Sequence, residues 1–164
     1  PEKRIHMSSP NKFRRRLIQL SGLFGAGLVT RSVQAHHTDT HFDDKSAHQL
    51  VYQCNKAEHD YIDHILFSCG EMLRKYGDDI EIIVTAFGSG IHLLGERPGR
   101  GISRLQQQRA RSLHDYGVAF HACGNTMKSL DWSEDDLLDF AEVVPIGADD
   151  IMLLQEQGFA YMSW

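Results

Sequence analysis

The run Ile-Glu-Ile-Ile-Val-Thr-Ala-Phe at residues 80–87 constrains the fold more than any other feature of the chain. It is almost continuously apolar and rich in β-branched residues, which is typical of a strand buried on both faces. A strand with one solvent-exposed face would alternate apolar and polar residues instead. Residues 80–87 therefore predict a parallel sheet with helices packed against it, as in α/β proteins.

The rest of the chain fits this architecture, because short apolar runs alternate with segments of helical period. The first helical segment is the clearest, with an apolar stripe that starts at Tyr61 and closes at Gly77. We predict one α/β domain over residues 48–164, with a mainly parallel sheet of about five strands flanked by helices. The predicted strands are residues 48–54, 80–87, 118–123, 141–144 and 159–162. The predicted helices begin near residues 60, 103, 133 and 148.

Residues 1–35 resemble an export signal rather than part of this fold. A basic stretch at residues 12–16 precedes an apolar run at 17–29, and Val-Gln-Ala at 33–35 supplies small residues for cleavage. The apolar run has about 13 residues, fewer than the roughly 18 that suggest a membrane-spanning helix. The Arg-Arg-Arg-Leu-Ile sequence at 14–18 is similar to the twin-arginine motif. We predict a twin-arginine signal peptide over 1–35, cleaved at its end, with no stable membrane span and a periplasmic mature protein. A merely basic leader and an uncleaved anchor are the alternatives.

Residues 36–47 are polar and aperiodic, which is typical of a flexible lead-in. His36, His37 and His41 stand close enough in sequence to bind a divalent metal ion. No cysteine or regular ligand motif accompanies them, so a solvated His-rich tail is favoured over a metal site.

The charge distribution bears on the partners of the chain. The first 35 residues hold seven of the 17 Lys and Arg residues and one of the 22 Asp and Glu residues, so residues 36–164 carry a net charge of −11. Affinity for nucleic acid depends on neutralising phosphates with Lys and Arg. Residues 36–164 are acidic enough to repel a phosphate backbone, and we therefore set nucleic acid aside as a partner.

Three cysteines, Cys54, Cys69 and Cys123, cannot all pair within one chain. In an oxidising compartment an odd thiol is a candidate for reactivity or intermolecular pairing. Cys69 falls on the apolar stripe of the first predicted helix, so we interpret it as a core residue. Cys54 ends the first predicted strand and could face the same sheet edge as Cys123. Pairing with Cys123, relay of sulfur to it and simple packing are all open for Cys54, with packing favoured.

Cys123 ends a predicted strand, at the edge where parallel sheets usually bind ligands. Gly124, Asn125 and Thr126 follow, and this composition lets backbone N–H groups turn toward the sulfur at a short helix start. Such donors would favour the thiolate over the thiol. His121 lies two residues earlier and shares the face of Cys123 on a regular strand. Its ring could stabilise an anionic sulfur when protonated or accept the thiol proton when neutral. Cys123 is therefore predicted to be the most reactive of the three thiols.

Other polar features are weaker candidates. Gly-Ser-Gly at residues 88–90 follows a strand and could bind an anion, but a dinucleotide-binding fingerprint would need glycine in place of Leu93. A tight turn between strand and helix is the favoured interpretation. His59 and His64 are interpreted as surface residues. For His92, which follows the glycine turn, a surface position is favoured over an approach to the same crevice.

Three segments, at residues 80–94, 117–127 and 143–161, carry a resemblance to a known family. The most specific is the strand ending in Ala-Cys-Gly-Asn-Thr, followed by Val-Val-Pro-Ile-Gly and the close Gln-Gly-Phe-Ala-Tyr. Residues 48–164 resemble the DsrE/DsrF-like family, which is associated with sulfur oxidation and sulfur relay. The resemblance implies a flavodoxin-like α/β layer that assembles into homo-oligomers. In relay members a cysteine on the loop after a strand carries a persulfide between proteins, and the matching residue here is Cys123.

The favoured hypothesis is an exported protein that handles sulfane sulfur on Cys123. Backbone N–H groups of residues 124–126 would hold the resulting anion, with His121 assisting. Its partner would be a sulfur donor or acceptor protein or a small persulfide, and no organic cofactor is implied. Such a protein is a carrier first, and an enzyme only in the loose sense of a transferase.

The alternative hypothesis is a non-catalytic oligomeric binding module. In it Cys123 is packed, and the N-terminal histidines bind metal or nothing. A buried sulfur without N–H neighbours would favour this module. Under either hypothesis we expect an oligomer, because the apolar C-terminal segment ends in Trp164, which a monomer would leave partly exposed.

Overall fold

The computed structural model describes residues 46–164, which form a five-stranded parallel sheet. The predicted α/β layer is therefore confirmed. The strands are β1 (His48–Cys54), β2 (Ile80–Ala86), β3 (Ala119–Cys123), β4 (Ala141–Val144) and β5 (Ala160–Met162). Their order across the sheet is β4-β3-β2-β1-β5. The α-helices are α1 (His59–Tyr76), α2 (Arg104–Asp115), α3 (Gly124–Ser129) and α4 (Gly147–Glu156).

The two faces of the sheet are covered by different helices. Successive strand residues point to opposite faces, and the residues Ile82 and Phe120 pack in the larger core with side chains of α1, α2 and α3. Ile83 packs in a smaller core with Ile151 and Leu154 of α4. The chain crosses from β4 at one edge to β5 at the other through α4. This reversal places α4 on the face opposite to the other three helices, as right-handed crossovers require.

The reversal creates a switch point between β3 and β4. The helix after β3 belongs to the larger core and the helix after β4 to the smaller one. Neighbouring strands whose following helices leave toward opposite faces open a crevice at their carboxyl ends, where open α/β sheets bind ligands. Because β3 ends at Cys123, this cysteine lies at the switch point.

One predicted helix is shorter than its sequence suggests. The start signal at Ser133 is real, since its backbone N–H donates to Asp136 Oδ2 at 2.9 Å. However, only a single 3₁₀ turn follows, Glu134–Asp136. The chain becomes extended at the buried Leu137, and the N–H of Leu138 then donates to the carbonyl of Leu94 at 2.8 Å. Tertiary pairing here overrides the local helix signal.

None of the helices within residues 46–164 is both long and apolar enough to cross a membrane. The predicted signal peptide over 1–35 and the part of the lead-in up to residue 45 lie outside the described residues.

Candidate functional site

The Cys123 thiol lies at the end of β3 on the face covered by α4. Its Sγ accepts a hydrogen bond from the N–H of Gly147, the first residue of α4, at 3.2 Å. The residue is 5% exposed. The sulfur therefore lies under the N-terminus of a helix, where the partial positive charge of the helix dipole favours an anion.

Several donors converge on this sulfur. Burial raises the pKa of Cys123, but hydrogen bonds from the Thr126 hydroxyl and from the backbone N–H groups of Gly147 and Thr126 outweigh it, so the pKa lies below its ordinary value. The N–H of Asn125 adds a smaller contribution, because it also donates to the carbonyl of Pro145 at 3.1 Å. The Thr126 Oγ1 also accepts the N–H of Gly88 at 3.1 Å, which leaves its own hydrogen for the sulfur. The geometry thus favours the thiolate.

Two glycines make this convergence possible. A Cβ on Gly147 would lie 3.2 Å from the Cβ of Cys123 and 3.1 Å from that of Phe87, so a side chain would force the helix start away from the sulfur. A Cβ on Gly124 would lie 3.2 Å from the carbonyl oxygen of Val144. Glycine at these positions lets the starts of α3 and α4 approach the thiol and the end of β4.

His121 shares the face of Cys123, as its spacing predicted, and its hydrogen-bond partner is a carboxylate. Its Nδ1 lies 2.9 Å from Oδ2 of Asp150, and both side chains are 13% exposed. The buried hydroxyl of Thr85 donates to the same Oδ2 at 2.7 Å. His121 is therefore held by Asp150 of α4, whose carboxylate is held in turn by Thr85 of β2.

The structure does not bring Cys54 to the thiol site. Cys54 is in register with Ala86, which is in register with Ala122, so Cys54 and Cys123 point to opposite faces of the sheet. Two strand spacings of about 4.8 Å also separate β1 from β3, beyond the roughly 7 Å that a disulfide tolerates between Cα atoms. A disulfide between these residues is incompatible with this arrangement.

Cys54 and Cys69 have the environments of core residues. Both are fully buried, and the Sγ of Cys54 lies 3.8 Å from the carbonyl oxygen of Gly90. Burial raises the pKa of Cys54 to about 12 and raises that of Cys69 as well. Both thiols are therefore protonated at neutral pH, in contrast to the environment of Cys123.

The remaining predicted candidates occupy structural positions. Residues 88–90 form the start of a 3₁₀ turn after β2, in agreement with the interpretation as a turn. His59 and His64 are exposed. The prediction for His92 is wrong, because it is buried and its Nδ1 accepts the N–H of Gly99 at 3.1 Å. Its ring packs against Trp132, and burial, followed by the charge of Arg100, lowers its pKa.

Within residues 46–164, no group of three or more His, Cys, Asp or Glu side chains is arranged to bind a metal ion. The three histidines of the lead-in lie outside the described residues.

Comparison with protein families matches residues 42–164 to the DsrE/DsrF-like family. The chain belongs to this family. Among curated proteins, nothing matches the chain.

Solved structures show the same fold as this DsrE/DsrF-like chain. A protein of unknown function from Methanobacterium thermoautotrophicum matches with a TM-score of 0.64 and 22% identity, over 71% of this chain and 99% of its own. The ychN protein from E. coli matches with a TM-score of 0.53 and 16% identity, over the same shares of the two chains. At these identities the similarity establishes the fold alone.

Sequence reasoning missed two neighbours of the site in this DsrE/DsrF-like protein. Gly147 and Asp150 lie 24 and 29 residues after their partners Cys123 and His121. A signal was present, since Asp150 falls in the first turn of a predicted helix that follows a neighbouring strand.

Proposed function

We propose that this protein is a sulfur carrier that holds sulfane sulfur as a persulfide on Cys123. The observation that carries the proposal is the set of donors around one sulfur, from Thr126, Asn125 and Gly147, which lowers the pKa of Cys123 while burial raises that of the other two thiols. Thiolate is the nucleophilic form of cysteine. Membership of the DsrE/DsrF-like family supports a role in sulfur relay.

The loading step is a transfer of one sulfur atom without net oxidation. The Cys123 thiolate attacks the outer sulfur of a persulfide R–S–SH. A new S–S bond forms at Cys123 while the S–S bond of the donor breaks. The products are Cys123–S–SH and R–S⁻, which takes up the proton that Cys123 lost. The N–H groups of Asn125, Thr126 and Gly147 then stand beside the persulfide. Passing the sulfur on to an acceptor thiol is the same reaction in reverse.

The low exposure of Cys123 bears on the choice of donor. With 5% of the residue exposed, the sulfur is reached only by a slender group. A terminal persulfide at the end of a side chain or of a small thiol fits this access better than a bulky disulfide.

The binding-module alternative has weaker support. It expected a buried sulfur without N–H neighbours, whereas Cys123 is buried with several. Such donors stabilise an anion, which a merely packed thiol does not need.

Incubation of the protein with glutathione persulfide tests the proposal. We expect a mass increase of one sulfur atom on the peptide that contains Cys123, reversed by a reducing thiol, with no such adduct on Cys54 or Cys69. Peptide mapping by mass spectrometry under native loading conditions is the measurement. A correctly folded protein whose Cys123 gains no sulfur would refute the carrier role.

We also propose that the carrier is exported by the twin-arginine route and acts in the periplasm. The support is the sequence of residues 1–35. The secreted form should begin after Ala35, and replacing Arg14 and Arg15 together with Lys should block export. One readout is the intact mass of the secreted wild-type protein, and the other is the amount of the Lys variant in the periplasm. Export of the Lys variant at the normal level would contradict the route.

Finally, we propose that the carrier assembles into a homo-oligomer through the outer side of α4. Met152 and Leu153 of this helix are 49% and 44% exposed, and Ile146 before it is 45% exposed. Apolar residues clustered on one surface mark association sites. Leu153→Glu should shift the light-scattering mass toward the monomer, whereas Phe67→Glu, on α1 at the opposite face, should not. A wild-type monomer at tens of micromolar would refute the assembly.

A further inference from the structure

A polar row crosses the sheet one level below the thiol. The residues in register are Gln53, Thr85, His121 and Glu142, on the face that α4 covers. The row before it on the same face is apolar, with Val51, Ile83 and Ala119. Burying polar groups costs free energy unless each finds a partner. At the centre of this row Thr85 is buried and His121 is largely buried, so these two side chains require polar partners.

Asp150 is the partner that α4 supplies to the centre of this row. Its Oδ2 accepts from Thr85 Oγ1 at 2.7 Å and from His121 Nδ1 at 2.9 Å. A carboxylate only accepts hydrogen bonds, so Nδ1 of His121 must carry the hydrogen. In the neutral ring this leaves the lone pair on Nε2, which makes Nε2 the basic nitrogen.

The first turn of α4 provides a hydrogen-bond partner to each of the two reactive side chains. The N–H of Gly147 donates to the sulfur of Cys123. Three residues later, the carboxylate of Asp150 accepts from the ring of His121. Along β3 the Cα atoms of His121 and Cys123 are separated by about 6.6 Å. Side chains two residues apart on one strand face are neighbours, and a general acid or base acts on a group within hydrogen-bond reach, directly or through one water molecule.

We infer that Asp150, supported by Thr85, is a positioning residue that fixes His121 with Nε2 as the proton carrier for sulfur transfer at Cys123. This rests on the proposed sulfur-carrier function. The hydrogen-bond donors keep Cys123 as a thiolate, and Nε2 gives a proton to the leaving R–S⁻ as the S–S bond of the donor breaks, then takes one from the acceptor thiol when the sulfur is passed on. The proton is conserved over the cycle, and no oxidant or reductant takes part. The other charged side chain in register with His121 is Glu142 of β4, which is exposed.

Asp150→Asn tests the inference, because a carboxamide can donate to Nδ1 and so favours the opposite tautomer of the ring. We expect the rate of sulfur loading from glutathione persulfide to fall by about tenfold or more, within the range of general acid–base effects. Alkylation of Cys123 by iodoacetamide should not slow, since iodide leaves without a proton. Asp149→Asn is the matched control, with the same charge change at the exposed neighbouring position of the same helix turn, and it should load at the normal rate.

A double variant separates positioning from a general structural effect. In a His121→Gln background, Asp150→Asn should cause no further loss of loading, because the ring that it orients is absent. Independent losses from the two substitutions would overturn the inference, as would equal loading rates for Asp150→Asn and Asp149→Asn. If Asp150→Asn lowers thermal stability, Thr85→Val carries the same test, since it removes only the hydroxyl behind Asp150 and should also slow loading while sparing alkylation. Failure of the wild-type protein to load would instead refute the carrier function itself.

Discussion

Thr126→Val should raise the pKa of Cys123 by about one to two units. The substitution keeps the shape of the side chain and removes the hydroxyl that donates to the sulfur. A hydrogen bond to a charged group contributes about 1.5–3 kcal/mol, and one pKa unit corresponds to about 1.4 kcal/mol. The pH dependence of iodoacetamide alkylation, resolved by site with mass spectrometry, measures the shift. Cys54 and Cys69 serve as internal controls and should stay unlabelled until the protein unfolds.

The rate at a fixed pH should change less than the thiolate fraction. A less acidic thiol is intrinsically more nucleophilic, with a Brønsted coefficient of about 0.4–0.5, so a loss of about three- to tenfold is expected below the pKa. Thr126→Ser is the matched control, because it keeps the hydroxyl and should retain a low pKa. An unchanged pKa in Thr126→Val would mean that the backbone N–H groups alone stabilise the thiolate, and would remove the Thr126 hydroxyl from the site.

The parts of the site that are local in sequence could be predicted, and the parts that depend on the chain crossing could not. Asn125 and Thr126 follow Cys123 directly, so a turn after the strand suffices to place their N–H groups near the sulfur. Gly147 and Asp150 reach the site only because α4 starts at the switch point and runs back over β3. No periodicity within either segment contains that information.

The face occupied by Cys54 shows the same limit for strands. Period-two alternation determines which residues of one strand share a face. It does not determine how neighbouring strands are aligned, and a shift of one residue exchanges the faces. Only the register through Ala86 and Ala122 places Cys54 opposite to Cys123. By contrast, the run at residues 80–87 identified its own strand correctly, since among the residues of β2 only Glu81 is exposed.

The buried His92 illustrates a third limit. Its position after a glycine turn suggested a surface residue, but the segment around Gly99 folds back and donates to its ring, and Trp132 covers it. Gly99 lies seven residues after His92, and Trp132 lies forty residues after it. Loops that cover a side chain leave no periodic pattern, so burial of this kind is invisible before the fold is known.

Gly90→Ala should destabilise the domain by about 3 kcal/mol, the upper range for overpacking, because the added Cβ meets backbone rather than a mobile side chain. It would overlap the carbonyl group of Cys54 and lie 2.8 Å from the N of Asn55. A loss of this size should lower the midpoint of thermal unfolding by about 10 °C for a domain of this length. Gly70→Ala is the matched control, since nothing lies within 4 Å of its added Cβ in the middle of α1. It should be neutral or stabilising by up to about 1 kcal/mol.

The same substitution should also affect the thiol, which links the stability of this edge to its chemistry. Because Gly90 has no side chain, the turn after β2 can pack closely against the end of β1. There the N–H of Phe87 donates to the carbonyl of Cys54 at 3.0 Å. That turn carries Gly88, whose N–H fixes the hydroxyl of Thr126 on the sulfur. Gly90→Ala should therefore raise the pKa of Cys123 as well as lower the unfolding midpoint, whereas Gly70→Ala should change neither in that direction. Calorimetry and the alkylation profile on the same samples measure both, and a Gly90→Ala protein as stable as wild type would contradict the close approach of β1 to this turn.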